Sequence, residues 1–268
     1  MWTFPASRAK LLEERDEART DTRKRAAFMS YRLNVPTRDE STVLLSVPEW
    51  SLVTGRLVGG RFGRPVVGLD LGGGRAWSAA VALWRSGRLE AVAVAPGIPS
   101  IEAQERRDRV PAGTYARLVE SGRLKVASGR RVPDVADLAA LVRAWRPEVV
   151  TCDRFRLPEL QDAAAGRLRL EPRVARYSEQ TEDIRALRRI ALDGPLSCTP
   201  ESRPLVAASL SAAAVAHDDG GNVKLVKRGT NNQARDDVAA ALVLAAGALA
   251  RAPRAARPPR LHIVGGAA

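Results

Sequence analysis

The chain has 268 residues, 45% of them hydrophobic, enough to bury one sizeable core and a small appendage. Its 43 Lys and Arg against 30 Asp and Glu leave a net charge of +13, which favours an anionic partner such as nucleic acid, although arginine-rich, alanine-rich composition also fits a bias of the genome. Cys152 and Cys198 offer neither metal-ligand spacing nor a disulfide framework, no apolar run approaches the roughly 20 residues that span a bilayer, and Glu13, Glu14 and Asp16 leave no signal-peptide core, so the expectation is a soluble protein of a reducing cytoplasm.

Ser7 to about Met29 predicts a mostly exposed helix with Ser7 as N-cap, and Ser30 to Gly63, with Pro36, Pro48 and several glycines, reads as a connector over the surface. These form an N-terminal unit, 1–63, ahead of an organised domain, 64–250. That domain opens with three apolar segments, Val66 to Leu71, Trp77 to Trp84 and Leu89 to Ala95. They are broken by Gly72-Gly73-Gly74 and Ser86-Gly87, the pattern of antiparallel strands joined by tight turns. After Pro133-Asp134, Val135, Leu138, Leu141, Val142 and Trp145 recur at helical spacing, and this helix stops before Pro147. Strand Glu148 to Asp153, helix Leu157 to Leu168 and strand Pro172 to Tyr177 then make a β-α-β unit, whose strands run parallel. Helices are expected at about Glu179 to Leu192 and Ser202 to Ala216. The turn Asp218-Asp219-Gly220-Gly221-Asn222 leads into strand Val223 to Lys227, and a last helix runs from about Arg235 to Ala250. Residues 251–268, with Pro253, Pro258 and Pro259 among arginines, read as a disordered basic tail.

Three acidic positions stand where these elements begin or end. Asp70 closes Pro65-Val-Val-Gly-Leu-Asp70, Asp153 closes Glu148-Val-Val-Thr-Cys-Asp153, and Asp236-Asp237 opens the last helix. A buried carboxylate is costly unless it binds a cation or a donor, so the three settings suggest a metal site. Hard oxygen ligands suit Mg²⁺ or Mn²⁺ better than zinc, and two ions about 4 Å apart would serve phosphodiester hydrolysis. Antiparallel strands, then β-α-β, then a late helix is the order of the ribonuclease H-like fold: a mixed α/β sheet flanked by helices. Gly72-Gly73-Gly74 is read as a tight strand turn, since no helix follows it to offer an N-terminus to phosphate. His217 precedes a turn and His262 lies in the tail, so neither is a candidate general base, and Trp50, Trp77, Trp84 and Trp145 are read as core.

Ala27-Phe-Met-Ser-Tyr-Arg-Leu-Asn34, Val67-Gly-Leu-Asp-Leu71, Ser209 to Lys227 and Arg235-Asp-Asp-Val-Ala-Ala-Ala-Leu242, in that order, resemble the C-terminal nuclease region of phage terminase large subunits over about Ser7 to Ala250. The resemblance implies a metal-dependent DNA endonuclease using Mg²⁺ or Mn²⁺, two ions in all, that cuts concatemeric DNA during packaging in the cytoplasm of a bacterial host. It further implies double-stranded DNA, an ATPase domain, a small terminase subunit and a portal as partners. The first acid corresponds to Asp70, the second to Asp153 and the third to Asp236 or Asp237. Asp237 is preferred because it keeps register with Ala241-Leu-Val-Leu-Ala245, leaving Asp236 as a supporting metal-site acid or a helix N-terminal charge. Lys224, Lys227, Arg228 and Arg235 would meet DNA phosphates. The chain departs from the family pattern where Arg75-Ala76-Trp77 stands in place of a further acid. None of its five lysines follows a glycine as the P-loop of a packaging ATPase requires, so it corresponds to the nuclease portion alone. Other readings are a Holliday-junction resolvase-like nuclease, a sugar-kinase-like nucleotide-binding fold, and a DNA-binding remnant without catalysis.

Overall fold

A computed structural model of the chain describes residues 5–20, 28, 32–33, 43–73, 76–174, 176–218, 220–227 and 235–252. In chain order the elements are α1 (Pro5–Thr20), α2 (Val47–Gly55), β1 (Val66–Asp70), β2 (Ser78–Leu83), β3 (Arg88–Ala95), α3 (Ile101–Asp108), α4 (Thr114–Glu120), β4 (Leu124–Val126), α5 (Val135–Ala144), β5 (Val149–Cys152), α6 (Leu157–Ala164), β6 (Leu170–Pro172), α7 (Tyr177–Leu192), β7 (Ser197–Cys198), α8 (Arg203–Ala212), β8 (Ala213–His217), β9 (Val223–Lys227) and α9 (Asp237–Arg251).

β1 is the strand on which the sheet turns from antiparallel to parallel. It pairs antiparallel with β2, which pairs antiparallel with β3, while its other edge pairs parallel with β5 and β5 with β6. The strand order is therefore β4-β3-β2-β1-β5-β6, with β7 on the same edge of β3 as β4. Alternate residues of the central strands feed two cores, one on each face. Val66, Ala79, Val81 and Leu83 pack with Ile184 and Leu187 of α7, Val206 of α8 and Leu242 and Ala245 of α9. Val67, Leu69, Ala80 and Ala82 pack with Leu138 and Val142 of α5 and Leu160 of α6. The central strands are thus apolar on both faces and read as nearly continuous hydrophobic runs. Gly68 sets how closely α9 can approach, because a Cβ there would stand 1.9 Å from the Ala241 carbonyl oxygen.

The three antiparallel strands, the helix that halts before Pro147 and the parallel β5 lie where the periodicity predicts. Three expectations need correction. Ala213 to Ala216 is a strand, because the chain turns extended at Ala213 and β8 pairs antiparallel with β9; the helical propensity of alanine yields to that pairing. β6 ends at Pro172, and Tyr177, read as strand, instead opens α7. α6 stops at Ala164, where Ala165 and Gly166 turn left-handed (φ 46° and 69°) and close it short of Leu168.

Within the stretch read as a connector, Leu44, Leu45 and Val53 are buried in the core shared with α7 and α9. α2 there starts in a reciprocal cap, Ser46 Oγ accepting from Glu49 N–H and the Glu49 carboxylate from Ser46 N–H. Arg251, assigned to the tail, closes α9; residues 253–268, including His262, lie outside the described residues, as does most of Ala27 to Asn34. Among the described residues no helix is long and apolar enough to cross a membrane.

Candidate metal centre

The parallel register of β1 and β5 places Leu69 opposite Cys152, so Asp70 and Asp153 follow at the same sheet end on adjacent strands. α9 crosses β1 at Gly68, where its Ala241 and Ala245 backbone touches the strand, and this brings the start of the helix to that end. Asp70, Asp153 and Asp236 line one cavity of about 210 Å³. Asp183, Arg173 and Gln180 share it, with Val174, Leu225, Ala240, Val243 and Leu244 as apolar walls. A single water needs only about 10–15 Å³ measured this way, so hydrated ions have room.

Asp153 Oδ1 accepts the Phe155 N–H at 2.8 Å. Burial nevertheless raises the Asp153 carboxyl above the ordinary carboxylate range, outweighing that hydrogen bond. Asp183 is 1% exposed and takes Arg173 Nε at 3.1 Å, Arg173 Nη2 at 3.2 Å and Arg251 Nη1 at 2.5 Å. It packs against α9 where Gly247 leaves room, since a Cβ at that position would come within 1.9 Å of Asp183 Oδ1. The β8-β9 hairpin supplies a wall by docking on α7: Gln180 Oε1 accepts from Leu225 N–H at 2.8 Å, and Thr181 Oγ1 accepts from Val223 N–H at 2.7 Å. Asp183, Arg173 and Gln180 were not among the predicted site residues. A signal was present for Asp183, a lone acid on the stripe formed by Ile184, Leu187 and Ala191, where a charge must find partners.

Asp237 is not brought to this cavity. It lines a second one with Trp77, Asp108, Tyr115, Ser209 and Arg235. Asp236 is the N-cap residue of α9 and Asp237 its first helical residue, so their side chains leave the axis in different directions, and of the two it is Asp236 that lines the cavity with Asp70 and Asp153. The first turn of α9 is further held by Ser209 Oγ, which accepts Ala239 N–H at 2.9 Å.

The residues proposed to meet DNA are placed unequally. Lys224 lies on β9 with Nζ 5.7 Å from the Tyr177 ring centroid, Lys227 closes β9, and Arg228 lies outside the described residues. Arg235 is committed inward: its side chain is 11% exposed, Nε donates to Asp108 Oδ2 at 2.8 Å, and the guanidinium sits 5.3 Å over the Trp77 ring. Gly72 is held as a turn residue by Ser78 Oγ, which accepts its N–H at 3.1 Å, and by Arg156 Nη1, which donates to its carbonyl at 2.8 Å. Gly74 and Arg75 lie outside the described residues. Trp77 and Trp84 are buried, Trp50 and Trp145 pack partly buried against the two cores, and burial pushes both cysteine thiols up to about 12. Among the described residues no three His, Cys, Asp or Glu side chains are drawn closely enough to hold a metal ion as they stand.

Sheet order, the β1-β5 switch to parallel pairing and α9 packed across β1 define a ribonuclease H-like fold. Within that class the chain is similar to the large terminase of bacteriophage HK97, with a TM-score of 0.64 and 21% identity over 88% of this chain and 49% of that one. The chain therefore spans about half the length of that relative. Other similar structures are the large terminase nuclease of thermophilic phage G20c with bound magnesium (TM-score 0.46, 17% identity, 79% of this chain and 98% of that one) and the g2p large terminase nuclease domain of bacteriophage SPP1 with bound Mn (TM-score 0.39, 17% identity, 69% and 86%). At 21% identity the likeness to the HK97 protein establishes a shared fold. No protein-family model and no curated protein matches the chain.

Proposed function

We propose that this chain is a metal-dependent DNA endonuclease, the counterpart of the nuclease portion of a phage large terminase, and that it cuts concatemeric DNA during packaging. The observation that carries the reading is that Asp70, Asp153 and Asp236, from two adjacent strand ends and a helix start, line one cavity. The donor set is all carboxylate oxygen, without Cys or His, which fits Mg²⁺ or Mn²⁺ and not a zinc site. Asp70, Asp153 and Asp236 would hold the metal, Asp237 remaining outside. When bound, two divalent ions would activate the attacking water and neutralise the leaving oxygen of the phosphodiester.

The chain's own residues prepare the cavity. Burial holds Asp153 in a setting that disfavours its bare charge, so a cation there relieves the penalty. Arg173 and Arg251 neutralise Asp183 behind these acids. Lys224 and Lys227, on the hairpin that walls the cavity, would meet the phosphates of bound duplex. Partners by the same reading are double-stranded DNA, a packaging ATPase domain, a small terminase subunit and a portal, in the cytoplasm of a bacterial host. Supercoiled plasmid incubated with the protein in Mn²⁺ tests the core of the proposal. Nicking that EDTA abolishes is expected, and conversion that ignores EDTA, or none in any divalent metal, overturns it.

A further inference from the structure

Among the described residues Arg173 is the one arginine that lines the cavity with the four carboxylates of Asp70, Asp153, Asp183 and Asp236. Three features fix it. Its backbone N–H donates to the Cys152 carbonyl at 2.6 Å, one residue before Asp153, so its main chain is registered to the end of β5. Its Nε and Nη2 grip the two oxygens of buried Asp183 at 3.1 and 3.2 Å, a fork that sets the plane of the guanidinium. Nη2 also donates to the Glu179 carbonyl at 3.1 Å and to Glu182 at 3.2 Å. Nη1 is ion-paired with Glu179 Oε2 at 3.5 Å and, among the described residues, donates no hydrogen bond. The Nε–Nη2 edge of the guanidinium is thus spent on orientation, while Nη1, ion-paired with Glu179, keeps N–H groups for a further acceptor; the side chain is 16% exposed. An ion pair built for stability alone would not need to stand among acids that an anionic substrate reaches only with cations in between.

We propose that Arg173 is a catalytic residue whose Nη1 edge donates to a non-bridging oxygen of the scissile phosphate, with Asp183 as the positioning residue that aims it; this rests on the nuclease reading above. In the hydrolysis the water oxygen bonds phosphorus, and the bond from phosphorus to O3′ breaks with its electron pair on O3′. The water loses a proton to solvent and O3′ gains one. The guanidinium keeps all its protons and offsets the charge that builds on the non-bridging oxygens, a fixed planar donor being suited to that task.

The test is cleavage of a duplex oligonucleotide in Mn²⁺ by wild type, Arg173→Ala, Arg173→Lys and Asp70→Asn. Loss of one oriented donor predicts a kcat about 100-fold lower for Arg173→Ala with KM little changed, partly restored by guanidinium ion against a matched sodium control. Asp70→Asn should gain nothing from guanidinium. Arg173→Lys, which keeps a cation beside Asp183 and guards against a failure of the alanine variant to fold, should still lose about tenfold in kcat because the planar fork is gone. Wild-type kcat in Arg173→Lys, or a folded Arg173→Ala that guanidinium leaves unchanged, overturns this inference alone. A wild-type protein inactive in every divalent metal overturns it together with the nuclease reading.

Discussion

Asp236 and Asp237 are consecutive, yet Asp236 lines the cavity of Asp70 and Asp153 whereas Asp237 lines the cavity of Trp77 and Asp108. The helix start between them divides the two environments, and with it the roles that two adjacent carboxylates can take.

The first prediction follows from that division. Asp236→Asn should lower plasmid nicking in Mn²⁺ about as severely as Asp70→Asn or Asp153→Asn, a loss of several kcal/mol of charge stabilisation and hence roughly a thousandfold in rate. Asp237→Asn should be the milder change, felt first in the stability of the α9 start, where an acid complements the helix dipole. Initial rates for the four purified variants decide it, and a dead Asp237→Asn beside an active Asp236→Asn would reverse the assignment.

Asp153 should trade stability for function. Its carboxyl is raised by burial, so the folded protein keeps this proton to a higher pH than the unfolded chain does. The fold therefore loses stability as pH rises from the ordinary carboxylate range through the raised value, and the loss persists above it. Asp153→Asn keeps an acceptor for Phe155 N–H and removes the charge, so at neutral pH in EDTA it should melt roughly 2 °C higher than wild type. The difference should vanish at low pH, and cleavage should be lost. A lower melting temperature for Asp153→Asn at neutral pH would show that the ionised carboxylate is stabilising.

Gly68→Ala should strike both fold and site. The new methyl would meet the Ala241 carbonyl at 1.9 Å and the Ala245 nitrogen at 2.6 Å, backbone atoms that cannot swing away, so α9 must shift. Overpacking of this kind costs about 1–3 kcal/mol, and the same shift would carry Asp236 away from Asp70. Gly55→Ala, where nothing lies within 4 Å, is the matched control and should be neutral or slightly stabilising. Urea unfolding of the two variants compares them directly.

How much of this was legible in the sequence can be argued residue by residue. The short apolar runs broken by turn residues and the β-α-β order put Asp70 and Asp153 on neighbouring strand ends. Which of Asp236 and Asp237 lines the cavity of Asp70 and Asp153 was not legible: apolar periodicity within α9 fixes which face is buried, whereas that placement depends on which residue caps the helix, a matter of one residue at its least determined end. Asp183 escaped because its partners, Arg173 and Arg251, and the gap at Gly247 are brought together only by packing of α7 on α9. The family resemblance alone assigns Arg235 to the DNA phosphates. Only the fold reveals Asp108 and Trp77 beside it.

That placement of Arg235 separates two kinds of basic residue and gives the last prediction. Lys224 and Lys227 sit on the hairpin beside the candidate cavity, so Lys224→Ala/Lys227→Ala should weaken duplex binding at low salt in Ca²⁺, irrespective of sequence, and reduce the slope of log affinity against log salt by about 1–2. Arg235→Ala should act through the fold instead. It strips a buried carboxylate, Asp108, of one of its cationic partners and leaves the Trp77 face without its guanidinium, at a cost of the order of 3 kcal/mol, while leaving the salt slope of the folded fraction unchanged. Fluorescence anisotropy across a salt series, paired with thermal unfolding, distinguishes the two effects. An unchanged slope in the double lysine variant would remove the hairpin from the DNA interface, and a reduced slope in a fully stable Arg235→Ala would return Arg235 to it.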